Sequence, residues 1–174
     1  MKEMSKARII NKRSIKSVIN ERQILAQLHN RHLVNMHFAF QDKENLYLVM
    51  DYLQGGDLRF HLSEHRRFSQ DITKFFVACL VQGLEYIHQH NIIHRDIKPE
   101  NLVLSESGYL KITDFGIARV FRTNNSQDTS GTPGYMAPEV LNHENHSFHA
   151  DFFAVGVIAF ECMYGRRPYY GRSR

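Results

Sequence analysis

The chain has 174 residues, 43% of them apolar and 23% charged, with a formal net charge of +4. That length allows one domain, or two small lobes, around a buried core, and the composition fits a soluble globular protein. No apolar run reaches membrane-helix length, so no transmembrane segment is expected, and Met1 is followed at once by charged and polar residues rather than a signal-peptide pattern.

Much of the positive excess comes early, at Lys2, Lys6, Arg8, Lys12, Arg13 and Lys16. No aromatic residue interleaves these charges before Phe38, so they read as a solvated face, and no nucleic-acid partner is expected. Residues 14–29 are predicted to form a helix, with Ile15, Val18, Ile19, Leu25 and Leu28 on one face. Glu21 falls on that same face. A buried carboxylate needs a partner, and Lys2 is the candidate. Residues 34–40 and 46–51 read as two strands joined by a polar turn. Gly55-Gly56 breaks the chain, and Asp57 opens a short helix with Leu58 and Leu62 inward.

Ser69 is placed as the N-cap of a longer helix, with Asp71 in its first turn. Its apolar stripe comprises Ile72, Phe75, Phe76, Cys79, Leu80, Leu84 and Ile87, and Asn91 ends it. Residues 102–104 and 109–113 form a hairpin across Ser105-Glu106-Ser107-Gly108. Residues 119–130 read as a polar loop, and residues 151–163 as a helix that is apolar nearly all round and therefore buried. Cys79 and Cys162 are the only cysteines. Both sit among apolar residues and read as buried free thiols of a reducing compartment, which makes a cytoplasmic location, with the nucleus as an alternative, the expectation. His143, His146 and His149 recur every third residue. That spacing does not keep three ligands on one α-helical face, and no thiol joins them, so a metal centre is not expected there.

Three motifs carry the chemistry. His94-Arg95-Asp96-Ile97-Lys98-Pro99-Glu100-Asn101 comes first, Asp114-Phe115-Gly116 follows after the hairpin, and Ala137-Pro138-Glu139 comes later. Asp, Asn and Gly also make turns, and one such tripeptide alone would mean little. The ordered set points to phosphoryl transfer from a nucleotide to a hydroxyl. Asp96 can accept the proton of the attacking hydroxyl. Asn101 and Asp114 offer hard oxygen ligands for Mg²⁺, and Lys98 can neutralise charge on the migrating group. The hairpin brings Asn101 and Asp114 together, because they flank its two strands.

With these motifs the chain resembles the eukaryotic protein kinase family over essentially its whole length. Lys98 after Asp96, and Gly131-Thr132-Pro133 before Ala137-Pro138-Glu139, resemble the serine/threonine class. The Lys2 to Glu21 spacing resembles the protein kinase A group, and Gly55-Gly56-Asp57-Leu58-Arg59-Phe60-His61-Leu62 resembles the YANK-type kinases within it. YANK kinases often carry Asn where this chain has Gly116.

The resemblance implies an α+β, bilobal protein-kinase-like fold. A partial N-lobe sheet with helix αC would span residues 1–50, a hinge 51–54, and an incomplete, mostly helical C-lobe 55–174. It implies ATP and Mg²⁺ as cofactors and Ser/Thr-bearing proteins as partners, and leaves oligomeric state undefined. Lys2 would hold the α- and β-phosphates and pair with Glu21. Met50 would guard the adenine site, with the backbone of Asp51 to Leu53 meeting adenine and Leu58 and Val103 pressing on the ring from below. Leu25, Met36, His94 and Phe115 would stack as a spine. Thr132 would bond Asp96 and Lys98.

Asp57, Glu100 and Glu161 match positions where basophilic relatives hold substrate arginines, which implies basic residues near the acceptor. Arg95 and Arg119 would converge on Asp128, a carboxylate where many relatives carry a phosphothreonine. No Gly-x-Gly-x-x-Gly occurs in the sequence, and the resemblance starts at the phosphate-binding lysine, so a kinase domain truncated at both ends is implied. A pseudokinase or scaffold without efficient catalysis is the competing reading.

Overall fold

The computed structural model describes residues 1–169. Strands β1 (Lys2–Ser5), β2 (Met36–Gln41) and β3 (Asn45–Met50) form an antiparallel sheet in the order β1-β3-β2. The turn between β2 and β3 is tied by Asp42, whose Oδ1 accepts from both Glu44 N and Asn45 N at 2.7 Å. Between β1 and β2 lie α1 (Lys6–Asn11) and α2 (Ile15–Leu25). The basic run gave no sign of α1. Ser5 starts it, its side chain accepting from Arg8 N, and the helix buries no residue.

Helix α2 is shorter than predicted and only its C-terminal half faces inward. Glu21, Ile24 and Leu25 are buried, and Leu28 is buried just beyond its end. Ile15 and Ile19, expected inside, are 45% and 51% exposed. They line an open apolar groove with Ile9, Ile10, Val18 and Phe40, which lies between α1, α2 and the sheet.

The other half is helical around a small hairpin. Helices α3 (Leu58–His65), α4 (Gln70–Gln89) and α6 (His149–Tyr164) accompany the one-turn α5 (Pro138–Leu141). Ser69 does cap α4, accepting from Ile72 N. The stripe that enters the core runs Phe76, Cys79, Leu80, Leu84 and Ile87. Each fully buried aliphatic side chain there contributes about 1.5–3 kcal/mol. Ile72 and Phe75 are corrections at 45% and 42% exposed, since they sit at the edge of the stripe, where Phe75 packs on Tyr109. Helix α6 packs on α4 and ends at Gly165, whose φ of +69° suits glycine. A Cβ there would meet Arg66 O at 2.6 Å.

Strands β5 (Leu102–Leu104) and β6 (Leu110–Ile112) pair antiparallel as expected. Strand β4 (Ile92–Ile93) pairs with β7 (Arg119–Val120), inside the stretch read as loop. Two residues carry no periodic signal, so only the tertiary neighbour makes this a strand. The two halves are joined beside the hairpin, where Ile112 N donates to His32 O at 2.8 Å and Val34 N to Ile112 O at 2.9 Å. Cys79 and Cys162 are both buried and unpaired, and burial pushes the Cys162 thiol up to about 12.

Candidate active site

The turn after β4 carries Asp96. Asp151, near the start of α6, fixes this turn from below. Its Oδ2 accepts from His94 N at 2.9 Å and its Oδ1 from Arg95 N at 2.8 Å, while His88 Nε2 lies 2.8 Å from Oδ2. Asp151 is 1% exposed. Sequence reasoning missed it, although an ionisable residue opening an otherwise apolar helix always demands a partner. His94 is fully buried, and burial lowers its pKa, so it stands as a neutral packing group. Its ring meets Phe115 edge-on at 5.1 Å. Leu25 is buried, and Met36 packs against the same core.

Asp96 sits in a closed triangle. Thr132 Oγ1 donates to Asp96 Oδ1 at 2.6 Å, and Lys98 Nζ lies 2.8 Å from both Asp96 Oδ2 and Thr132 Oγ1. Asn101 Nδ2 donates to Asp96 O at 2.9 Å and to Oδ2 at 3.0 Å. Burial would raise the Asp96 carboxyl, but the bonds from Lys98 and Thr132 outweigh it and hold the group below the ordinary carboxylate range. Asp96 is therefore ionised and oriented.

Asn101 closes a 3-10 turn (Pro99–Asn101) that leads into β5. Thr113 N donates to Asn101 O at 2.9 Å, which sets Asp114 beside Asn101 at the end of the hairpin. Asp114 has a φ of +63°, an uncommon conformation that turns the chain sharply before Gly116. Helix α2 grips the segment that follows, with Ser17 Oγ donating to Gly116 O at 2.6 Å and Asn20 Nδ2 to Ala118 O at 2.8 Å. On the same helix, Glu21 takes both contacts from Lys2 Nζ, at 2.7 and 2.9 Å.

These residues fit a magnesium nucleotide by their donor chemistry. Among the described residues no group of three or more His, Cys, Asp or Glu side chains could enclose a metal ion. A carboxylate and an amide oxygen suit Mg²⁺, which keeps water and phosphate ligands and takes few from protein. The segment that follows β3 suits a purine. Asp51 N donates to Asn35 O, and among the described residues neither the Asp51 carbonyl nor the Leu53 N–H has a hydrogen-bond partner. The Asp51 side chain is engaged elsewhere, 2.9 Å from Lys111 Nζ, 2.8 Å from His37 Nε2 and 3.1 Å from Asn35 Nδ2. Met50 is half-buried at the end of β3.

Leu58, expected against the adenine ring, is 0% exposed and packs in the core at the start of α3. Val103 remains half-buried above it, linked to Asp57 by an antiparallel bridge. Gly55 lets this approach happen, since a Cβ there would meet Leu104 O at 2.4 Å.

The three acids expected to receive substrate arginines all have partners within the chain. Asp57 caps α3, accepting from Phe60 N at 2.8 Å, and Glu100 and Glu161 both bond Arg59. Arg95 donates from Nε to Ile117 O at 2.8 Å and brings Nη1 to 3.7 Å from Asp128 Oδ2.

Comparison with known proteins matches the whole chain, residues 1–174, to the protein kinase domain. It is 39% identical over 176 residues to a probable serine/threonine-protein kinase of Dictyostelium discoideum, covering 100% of this chain and 39% of that protein. It is 43% identical over 156 residues to ribosomal protein S6 kinase 2 alpha of Xenopus laevis, covering 88% and 21%. Identity to the cAMP-dependent protein kinase catalytic subunit of Dictyostelium discoideum is 39% over 171 residues, covering 98% and 26%. The chain thus spans well under half the length of each of these relatives. It belongs to the protein kinase domain family.

Proposed function

We propose that this chain transfers the γ-phosphoryl group of ATP to Ser or Thr hydroxyls of protein substrates. The Asp96–Lys98–Thr132 triangle is the observation that carries the reading. In this reading residues 1–50 cover the nucleotide, residues 51–54 are the hinge, and the remainder holds the acceptor side.

Asp96 orients the incoming hydroxyl and accepts its proton as the new bond forms. Its lowered pKa makes it a weak base, which suits a loose transition state in which proton transfer comes late. Lys98 stays beside the transferring oxygens, and Thr132 holds Asp96 and Lys98 in register. Lys2, tethered by Glu21, addresses the inner phosphates. Asn101 and Asp114 would hold Mg²⁺, which supplies charge neutralisation between phosphate oxygens when bound. Positioning and preorganised charge do most of this work. The pseudokinase reading draws no support from these residues, since Lys2, Asp96, Asn101 and Asp114 are all present. The approach of Asp128 to Arg95 supports a loop ordered by a carboxylate, with one charge where a phosphate brings nearly two.

The test is transfer of label from γ-labelled ATP to protein, followed by phosphoamino-acid analysis, with Asp96→Ala as control. Phosphoserine or phosphothreonine that disappears in the variant is expected. Absence of transfer, or label on tyrosine alone, would overturn the reading.

A further inference from the structure

Helix α3 sends Arg59 into a recess beside the catalytic turn. Its Nε lies 2.8 Å from Glu100 Oε1, and its Nη1 2.8 Å from Glu161 Oε1. Its Nη2 donates to the Tyr135 hydroxyl and, at 3.4 Å, to Glu161 Oε2. The Tyr135 hydroxyl in turn donates to Glu161 Oε2. Glu161 is 6% exposed on the inner face of α6. A carboxylate that deep needs a cation against it to offset the water it has lost, and Arg59 is that cation. The match is of the planar, multi-toothed kind that guanidinium makes and ammonium does not.

The position of the recess gives it a consequence. Glu100 follows Lys98 by two residues in the 3-10 turn, next to Asn101. Tyr135 follows Thr132 by three residues, and Tyr135 N donates to Thr132 O. Both walls are therefore continuations of the segments that hold Asp96. A peptide presenting a hydroxyl to Asp96 runs within a few residues of this recess, because extended chain advances only ~3.3 Å per residue.

We propose that Arg59 is a specificity-determining residue, an internal guanidinium that fills the acidic recess a substrate arginine would otherwise enter. Resting on the phosphotransfer reading above, this predicts a kinase that does not select for arginine at that subsite. Removing the guanidinium converts an indifferent subsite into one that does.

Two measurements on the full chain test it. First, thermal unfolding of Arg59→Ala is followed in methylguanidinium chloride against an equal concentration of sodium chloride. The variant's midpoint should rise with methylguanidinium while the parent's does not. Equal behaviour of the two proteins overturns the proposal. Second, kcat/KM is compared for paired peptides differing only by Arg or Ala at each position upstream of the acceptor serine. The parent should treat each pair alike to within about threefold, and Arg59→Ala should favour one arginine peptide by about tenfold or more, the scale of one charge-assisted bidentate bond. A parent that already demands arginine there, or a variant with an unchanged ratio, overturns it.

Should Arg59→Ala fail to fold, Arg59→Ala/Glu161→Gln removes the stranded charge, and its arginine preference should stay small. A large preference in that double variant would count against the recess. Failure of all phosphotransfer, with methylguanidinium still stabilising Arg59→Ala, would sink the proposed function and leave the occupied recess standing.

Discussion

The turn bearing Asp96 and the layer bearing Lys2 are held in contrasting ways. Asp96 accepts from Thr132, Lys98 and Asn101, and the backbone on either side is pinned by the 1%-exposed Asp151. Lys2 has a 38%-exposed side chain and, among the described residues, one partner, Glu21, on a helix whose outer face carries exposed Ile15 and Ile19. That helix reaches the rest of the site through two side-chain bonds to the backbone at Gly116 and Ala118. The Asp96 turn is preorganised by buried polar contacts in a low-dielectric setting, where each is worth more and tolerates less loss. The Lys2 layer hangs on contacts that can be traded one at a time. This is the pattern of elements drawn from opposite ends of a local-stability range.

The contrast can be broken at four places. Asp96→Ala should lower the phosphotransfer rate about 10²–10⁴-fold, the span of general acid–base contributions, with far-ultraviolet circular dichroism unchanged. A rate near the parent's would remove Asp96 from the proposed mechanism. Asp151→Ala strands two backbone N–H groups and a half-buried imidazole, so denaturant unfolding should show a loss of about 3–5 kcal/mol. A loss below about 1 kcal/mol, the scale of one ordinary hydrogen bond, would mean the turn holds itself.

Lys2→Ala should act on the other side of the comparison, raising the KM for ATP roughly tenfold or more with a loss of at most about 1 kcal/mol in stability. A larger stability loss than that of Asp151→Ala would invert the contrast.

Asp51 joins the two regions through His37 and Asn35 on one side and Lys111 on the other. Burial would raise its carboxyl, but the Lys111, Asn35 and His37 bonds lower it from 3.8 to about 2. A depressed carboxylate contributes stability above its unfolded value and loses it as pH falls through its folded one. The stability gap between parent and Asp51→Asn should therefore be full above pH 3.8 and close by about pH 2, read from denaturant midpoints along that range. A gap that ignores pH would show that Asp51 does not tie the regions by charge.

Much of this molecule was legible in one dimension where an interaction is local or a motif is dense. The hairpin, the capped α4, the buried α6 and the three motifs all announce themselves through period, caps and fixed spacing, and Lys2 with Glu21 followed from the simple demand that a buried carboxylate be paired. What escaped depended on distant surroundings. Strand β7 exists only because Ile92 and Ile93 lie beside it. Ile15, Ile19, Ile72 and Phe75 are apolar and correctly spaced, yet they face out, because periodicity defines a face and cannot say how much of that face another element covers.

Glu100 and Glu161 mark the same limit in chemical form. Their charge was readable, and so was their fitness for a guanidinium. That the guanidinium belongs to Arg59, 41 and 102 residues away along the chain, was decided by α3 packing against the catalytic turn. Residue type states what a side chain can bind, and only tertiary packing decides which partner arrives first.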